Sequence, residues 1–149
     1  NWTRAGLVFW NQAAATLRDL WILPDSAGSK PRPFLASRYA ESGSAVSPDG
    51  RWIAHLSNEA GFPDVYLQSF PVTGHKVRVT SEGVLAVWWM PGSDDLSYRS
   101  QNGGAYEAVK LTRSGDELEV GSPRLLFQVP SDVLQGDFTK DAKRLLVNP

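Results

Sequence analysis

The sequence VSPDGRWIAH, at residues 46–55, sets a polar turn (Pro48-Asp49-Gly50) between an apolar residue and a run of strand-forming residues. The same ten-residue pattern recurs without gaps at residues 89–98 (WMPGSDDLSY) and 138–147 (FTKDAKRLLV). In each copy an apolar residue ends one strand, a polar turn follows, and a second strand begins. Val46, Trp89 and Phe138 are the apolar anchors of this internal repeat, and the repeat decides the fold.

The spacing of the repeat indicates its architecture, since the anchors are separated by 43 and then 49 residues. A second motif, DLWILP at residues 19–24, resembles DVYL at residues 64–67, and AYEAV at residues 105–109 holds the matching place in the next unit. A period of about 40–45 residues with four strands per unit is typical of β-propeller blades. The sequence therefore predicts an all-β fold, a β-propeller segment of about three four-stranded blades. The approximate units are residues 1–36, 37–80, 81–129 and a partial unit at 130–149.

Short apolar runs bounded by turn residues define the predicted strands. Residues 12–17 have helix-like composition, but the run is too short for a stable helix, so we expect a loop there. The predicted strands are residues 7–10, 20–23, 52–56, 65–70, 77–80, 85–89, 96–99, 106–111, 125–129 and 144–147.

Composition excludes several classes of function. The formal net charge is -1 and no basic run stands out, so we expect no nucleic-acid partner. No apolar run approaches the length that spans a bilayer, so we expect no membrane insertion. Cysteine is absent, which excludes disulfides, thiolate metal sites and cysteine nucleophiles.

The residues that could act in catalysis or bind a metal ion are better explained by structural roles, in turns or in packing. We interpret Asp49, and Asp141 at the same place in the last hairpin, as turn residues that bind their own backbone, with Gly50 at positive φ. His55 lies at a strand position where the other copies have Tyr98 and Val147, so we expect a packed structural histidine. His75 follows a turn glycine and should be solvated. The sequence lacks a Gly-x-Ser-x-Gly elbow, a phosphate-binding loop and paired metal ligands, and we predict neither catalysis nor a cofactor.

The repeat also resembles a known family. SPDGRWIA at residues 47–54, SNE at 57–59 and DVY at 64–66 resemble the Pro-Asp-type, WD-repeat-like propeller repeat of TolB-like proteins. DLWILP at 19–24, KPRPFL at 30–35 and SPRLLF at 122–127 are similar to the blade ends of C-terminal propellers from bacterial eukaryotic-like serine/threonine kinases. The second and third turns, PGS at residues 91–93 and KDA at residues 140–142, depart from Pro-Asp-Gly.

The resemblance implies a non-catalytic scaffold for recognition of a protein or small ligand. It also implies an extracytoplasmic, periplasmic location if the parent is of the TolB-like or kinase-associated kind, and a cytoplasmic one if the chain is complete as given. The alternative is a propeller domain that gates a prolyl-oligopeptidase-type hydrolase, whose catalytic domain would lie outside this chain.

The binding surface is expected on the loops at residues 37–44, 58–63 and 101–104 and in the axial channel, because propeller loops cluster at the ends of the blades. Trp89 aligns with the apolar anchors and should be core, whereas Trp88 aligns with Ala45 and Asp137 and could face the channel. The candidate binding residues are Arg38, Tyr39, Glu41, Asn58, Glu59, Trp88 and Asn102.

Closure of the ring is the last expectation. The strands at residues 7–10 and 20–23 belong to a unit that we expect to lack its innermost strand, while the unit that starts near Phe138 is incomplete. Closed propellers have about four to eight blades. The chain should therefore be an arc of a longer protein, or a homo-oligomer in which two copies complete a ring of about six blades, with strands around Phe138 pairing beside residues 7–10.

Overall fold

The computed structural model describes residues 2–3, 6–12, 18–102, 104–114, 117–130, 135–139 and 144–148. Its described elements are all β-strands, and each pairing is antiparallel. The first sheet contains β1 (Trp2–Thr3), β2 (Gly6–Asn11), β3 (Asp19–Leu23) and β4 (Arg32–Leu35) in spatial order. The second contains β5 (Glu41–Val46), β6 (Trp52–Ser57), β7 (Asp64–Ser69) and β8 (Lys76–Arg78).

The third four-stranded sheet is interrupted in sequence by a separate hairpin. Its strands are β9 (Val84–Trp89), β10 (Leu96–Ser100), β11 (Ala105–Val109) and β14 (Arg124–Gln128). The hairpin is formed by β12 (Leu111–Ser114) and β13 (Glu117–Val120), and β15 (Gln135–Phe138) pairs with β16 (Leu145–Asn148) in a second hairpin. Three four-stranded antiparallel sheets in sequence confirm the all-β fold class and the four-stranded units.

The residues that flank the turn make the same backbone hydrogen bond in all three copies of the ten-residue repeat, as their gapless alignment predicts; residues 140–143 of the third copy lie outside the described part of the chain. In each, the backbone N–H just after the apolar anchor donates to a carbonyl five residues on. These bonds join Ser47 to Trp52 at 2.8 Å, Met90 to Asp95 at 2.9 Å and Thr139 to Arg144 at 3.0 Å.

The side chain of Asp49 stabilises the first of these turns, as predicted. Its Oδ1 accepts a hydrogen bond from the Arg51 backbone N–H at 3.1 Å, and Gly50 has a φ of 71°, which L side chains rarely adopt. The predicted turn role of Asp49 is confirmed. Asp141 lies outside the described residues.

Two apolar clusters hold neighbouring sheets together. The cluster between the second and third sheets contains Trp52, Ala54, Leu56, Val65, Leu67, Val84, Val87, Leu96, Tyr98, Val109 and Leu111. The cluster between the first and second sheets contains Val8, Leu20, Ile22, Ile53 and Phe70.

The two adjacent tryptophans of β9 face opposite sides of the third sheet, as strand alternation requires. Trp89 is partly buried against the second-to-third cluster, and its indole N–H donates to the Ala45 carbonyl of the second sheet at 2.9 Å. Trp88 stacks on Tyr106 within its own sheet, with ring centroids 5.8 Å apart. Trp89 therefore packs against the core rather than inside it, and it also joins two sheets.

The structure corrects several of the predicted strands. Residues 106–109 lie in β11 and Leu111 begins β12, because the chain leaves the third sheet at Lys110 and β12 pairs with β13 instead. Strands β4 and β5 were not among the predicted runs, since β4 contains a proline and β5 a glycine at positive φ. β1 pairs with β2 at Gly6 and Leu7, so the first sheet does have a short innermost strand. Of the loop predicted at residues 12–17, residues 13–17 lie outside the described part of the chain.

Of the three motifs at residues 19–24, 30–35 and 122–127, two lead into strands at the edge of a sheet, whereas DLWILP forms β3, an inner strand. KPRPFL runs into β4 and SPRLLF into β14, and each is the outermost strand of its sheet. No helix within the described ranges is long and apolar enough to cross a membrane.

Candidate functional site

Four loops meet at one end of the sheets. We call this surface the loop end, and its described residues are 36–40, 58–63, 80–83, 101–102 and 104. Hydrogen bonds join each loop to the next. The Ala40 N–H donates to Asn58 Oδ1 at 2.8 Å, the Val84 N–H to the Pro63 carbonyl at 2.6 Å, and the Gln101 N–H to the Gly83 carbonyl at 3.0 Å. The loop end is therefore a continuous surface on a fixed backbone.

The candidate residues Arg38 and Tyr39 lie together on the first of these loops. Arg38 Nη2 donates to the Tyr39 hydroxyl at 2.8 Å, and the guanidinium carbon lies 5.0 Å from the centre of the tyrosine ring. The Tyr39 N–H donates to Ser37 Oγ at 3.0 Å, which fixes the loop backbone. The pair presents an exposed cation and a half-buried aromatic ring beside Asn58.

Glu41 is buried rather than on the surface, with 4% exposure, at the point where β5 begins. Ser37 Oγ donates to its Oε1 at 2.5 Å, and its backbone N–H donates to the Arg18 carbonyl at 2.8 Å. Burial raises the pKa of the Glu41 carboxyl above its ordinary value, the Ser37 hydrogen bond opposes this rise, and the nearby charge of Asp19 adds to it. The structure thus places Glu41 beneath the loop end, between the first and second sheets.

Glu59 and Asn102 complete the loop end. Glu59 forms an ion pair with Lys76 at 2.5 Å, and the Lys76 ammonium lies 4.5 Å from the centre of the Tyr66 ring. Asn102 lines a cavity of about 290 Å³ together with Phe62, Ser81, Glu82 and Gln101. Phe62 is 61% exposed, so this cavity has an aromatic side chain open to solvent.

Trp88 does not join the other candidates. It lies near the end of β9 that is remote from residues 80–83, opposite Ser97 in the register. It therefore faces the side of the third sheet away from the second sheet, at a distance from Asn102 along the strands. The structure brings Arg38, Tyr39, Asn58, Glu59 and Asn102 to one end and leaves Trp88 apart.

Phe62 was not singled out from the sequence, although it lies within a loop predicted to bind. The available signal was an aromatic residue between Gly61 and Pro63, in a segment that is otherwise polar and turn-rich. Its exposure could not be read from the sequence, because most aromatic residues in such repeats fill the core.

The two histidines occupy different environments, as expected. His55 is 1% exposed and stacks on Tyr66 with ring centroids 6.0 Å apart, while His75 is exposed in the turn before β8. Over the ranges that the structure describes, no group of three or more His, Cys, Asp or Glu side chains is placed to hold a metal ion.

Comparison with known proteins gives a structural match. The fold is similar to the crystal structure of TolB from Acinetobacter baumannii, with a TM-score of 0.53 and 20% sequence identity over 94% of this chain. The chain spans 45% of the length of that protein. No protein-family model matches the sequence, and no curated protein matches it. The chain therefore has the fold of a TolB-like β-propeller segment.

Proposed function

We propose that this chain is a non-catalytic recognition scaffold and that the loop end is its binding surface. The observation that carries the proposal is an exposed phenylalanine, Phe62, beside polar side chains on loops that hydrogen bonds hold in place. A fixed backbone lowers the entropy cost of binding, and an exposed aromatic side chain is a frequent anchor of protein interfaces. The predicted absence of catalysis belongs to this proposal.

Site-specific photo-crosslinking tests the proposal. The photoreactive residue p-benzoylphenylalanine replaces Tyr39 at the loop end in one variant and Val72, 41% exposed at the opposite end, in a control. In extracts of the source cells we expect a discrete crosslinked band with Tyr39→p-benzoylphenylalanine and none with Val72→p-benzoylphenylalanine. A band formed only from the Val72 position, or substrate turnover abolished by replacing one polar residue, would contradict the proposal.

We also propose that additional blades complete the ring, supplied by a second copy or by further residues of a longer protein. The register places Leu7, Phe9, Trp21 and Leu23 on the outer face of the first sheet, opposite the core residues Val8 and Ile22, and all four are half-buried. In the described residues, β1 pairs with β2 only at Gly6 and Leu7. The remaining edge of β2 could therefore accept a strand such as β15 from a second copy.

The finer identity of the scaffold is likewise proposed. A sensory propeller of the bacterial kinase-associated kind is supported by the motifs at residues 19–24, 30–35 and 122–127, two of which enter outermost strands. A kinase domain or membrane segment encoded before this chain would support the sensory role. A Gly-x-Ser-x-Gly catalytic domain after it would favour the hydrolase-gating alternative.

A further inference from the structure

A second cavity adjoins the Phe62 cavity at the loop end, between the second and third sheets. It has a volume of about 200 Å³, and the two cavities share Ser81 and Glu82. Its lining residues include Glu82, Glu107, Tyr98 and Ser100. We call it the Glu82–Glu107 cavity.

Two glutamates that line this cavity lie near the Tyr98 phenol. Glu107 pairs with Tyr98 in the β10–β11 register, so their side chains lie on the same face of the sheet. Burial raises the pKa of the Tyr98 hydroxyl, and the neighbouring charges of Glu107 and Glu82 raise it further. The phenol therefore stays protonated and serves as a hydrogen-bond donor between two negative charges.

Neither carboxylate has a cationic partner in the part of the chain that the structure describes. The described ion pairs engage Asp49, Asp64, Asp94, Asp95 and Glu59 instead. Arg78, next to the cavity, is bound to Asp64 at 2.6 Å and to the Thr80 carbonyl at 2.9 Å, so a carboxylate already compensates its charge. The cavity thus concentrates uncompensated negative charge, which attracts a cation.

The loop that carries Glu82 is held in place from the other side by Asp64. The Asp64 Oδ1, fully buried, accepts hydrogen bonds from Thr80 Oγ1 at 3.0 Å and from the Gly83 N–H at 3.2 Å. Gly83 has a φ of 82°, and a Cβ there would lie 2.7 Å from Gln101 Oε1. Glu82 therefore projects from a fixed loop, so binding a ligand need not order the backbone first.

The size of the cavity restricts what can occupy it. Pockets for drug-sized ligands have volumes of about 300–1,000 Å³, whereas this cavity holds about 200 Å³ and opens beside an exposed aromatic ring. A single extended side chain fits such a space, with its charged end at Glu82 and Glu107 and its flanking residues against Phe62. We propose that the Glu82–Glu107 cavity binds one lysine or arginine side chain of a partner protein.

This inference rests on the proposed recognition function and names the chemistry that one part of the loop end would recognise. The test is an NMR titration of the ¹⁵N-labelled chain with the blocked pentapeptide Gly-Gly-Lys-Gly-Gly. We expect the amide signals of residues 81–84 and 98–100 to shift with this peptide. They should not shift with the same peptide carrying norleucine in place of lysine, because norleucine lacks the ammonium group.

Three variants assign the binding to the cavity. Glu107→Gln and Glu82→Gln should each weaken the lysine peptide by about fivefold, since each removes one partly screened charge. Glu119→Gln, on the exposed side of β13, changes net charge equally and should leave the affinity unchanged. Equal weakening by Glu119→Gln, or no effect of the two cavity variants, would overturn the proposal. Glu82 is on a loop, so its variant remains informative if Glu107→Gln fails to fold.

Two further measurements complete the test. The first distinguishes a partner protein from a small amine as the source of the cation, and the second distinguishes failure of this inference from failure of the proposed function. Phe62→Ala should weaken the peptide but not free butylamine, and equal binding of both ligands with no effect of Phe62→Ala would overturn the partner-protein assignment. If the Tyr39 crosslink forms equally well in Glu82→Gln while the lysine peptide does not bind the native chain, this inference fails and the recognition function stands. If that crosslink is absent as well, the recognition function fails with it.

Discussion

His55 is an ionisable residue in the interior of the second sheet. It lies in the middle of β6, is 1% exposed and stacks on Tyr66. Burial lowers the pKa of its imidazole to about 3, and the charge of Lys76 acts in the same direction. Histidine in the unfolded chain has a pKa near 6.5 and binds a proton below that pH. In the folded chain His55 stays neutral until the pH approaches 3.

This difference predicts a pH dependence of stability. The unfolded state binds the proton first, so the free energy of unfolding should fall as pH drops from about 6.5 toward 3. His55→Phe keeps an aromatic ring on Tyr66 and removes the titration, so urea melts between pH 7 and 4.5 should show a shallower loss of stability. Below pH 4.5 the protonation of Asp49 adds to the loss of stability, because its pKa in the folded chain is about 2, below its ordinary value of 3.8.

The matched control for this prediction is His75→Phe. His75 is exposed, so this variant makes the same substitution without removing a buried imidazole and tests whether the change in slope is specific to His55. An unchanged slope in His55→Phe would show that His55 protonates equally in the folded and unfolded states.

At the scale of elements, the β5–β6 turn is bound by the β12–β13 hairpin through Asp49 and Arg113. Asp49 accepts hydrogen bonds from Ser47 Oγ at 2.5 Å and from the backbone and side chain of Arg51 at 3.1 Å each. Arg113 of β12 also forms an ion pair with Asp49 and lies 3.8 Å from Asp94 in the next repeat turn. Although burial acts to raise the pKa of Asp49, these donors hold it at about 2, so its carboxylate stays ionised.

The two acids around Arg113 should therefore differ in their effect on stability. Asp49→Ala removes the turn hydrogen bonds and the ion pair, and we expect a loss of about 2 kcal/mol in the free energy of unfolding. Asp94→Ala removes a longer contact on a side chain that is 57% exposed, and we expect less than about 0.5 kcal/mol. Chemical denaturation measures both, and equal losses would show that the Asp49 turn does not stabilise the fold in this way.

The repeat made most of the strands predictable, since its turns and apolar anchors are local in sequence. The β12–β13 hairpin was not predictable, because the apolar run at residues 106–111 gives no sign of the strand break at Lys110. The loops of the site were also predictable, because turn residues separate the strands there, and they include the candidate residues Arg38 and Asn102. The Glu82–Glu107 cavity was not predicted, because the place of Glu82 beside the Tyr98–Glu107 pair depends on how the loop before β9 packs.

At the scale of the whole molecule, the outer face of the first sheet should control association. Because Leu7, Phe9, Trp21 and Leu23 leave apolar surface partly open, we expect the isolated chain to self-associate. Trp21→Lys places a charge on that face and should shift light scattering toward smaller species. Val72→Lys, at the turn before β8, should not change it.

A well-folded native monomer by light scattering would contradict this expectation. It would show that the first sheet tolerates solvent on its outer face, and the proposed completion of the ring by a second copy would then have no support.

The hydrogen bonds of Asp64 have a consequence for how this chain can be divided. Its carboxylate belongs to β7, but its donors at Thr80 and Gly83 belong to the segment that leads into the third sheet. A chain shortened after β8 would leave a fully buried carboxylate without those donors, and such a group is costly to keep in a folded interior. The second sheet therefore depends for part of its stability on residues that follow it, and useful truncation points lie beyond Val84 rather than between the sheets.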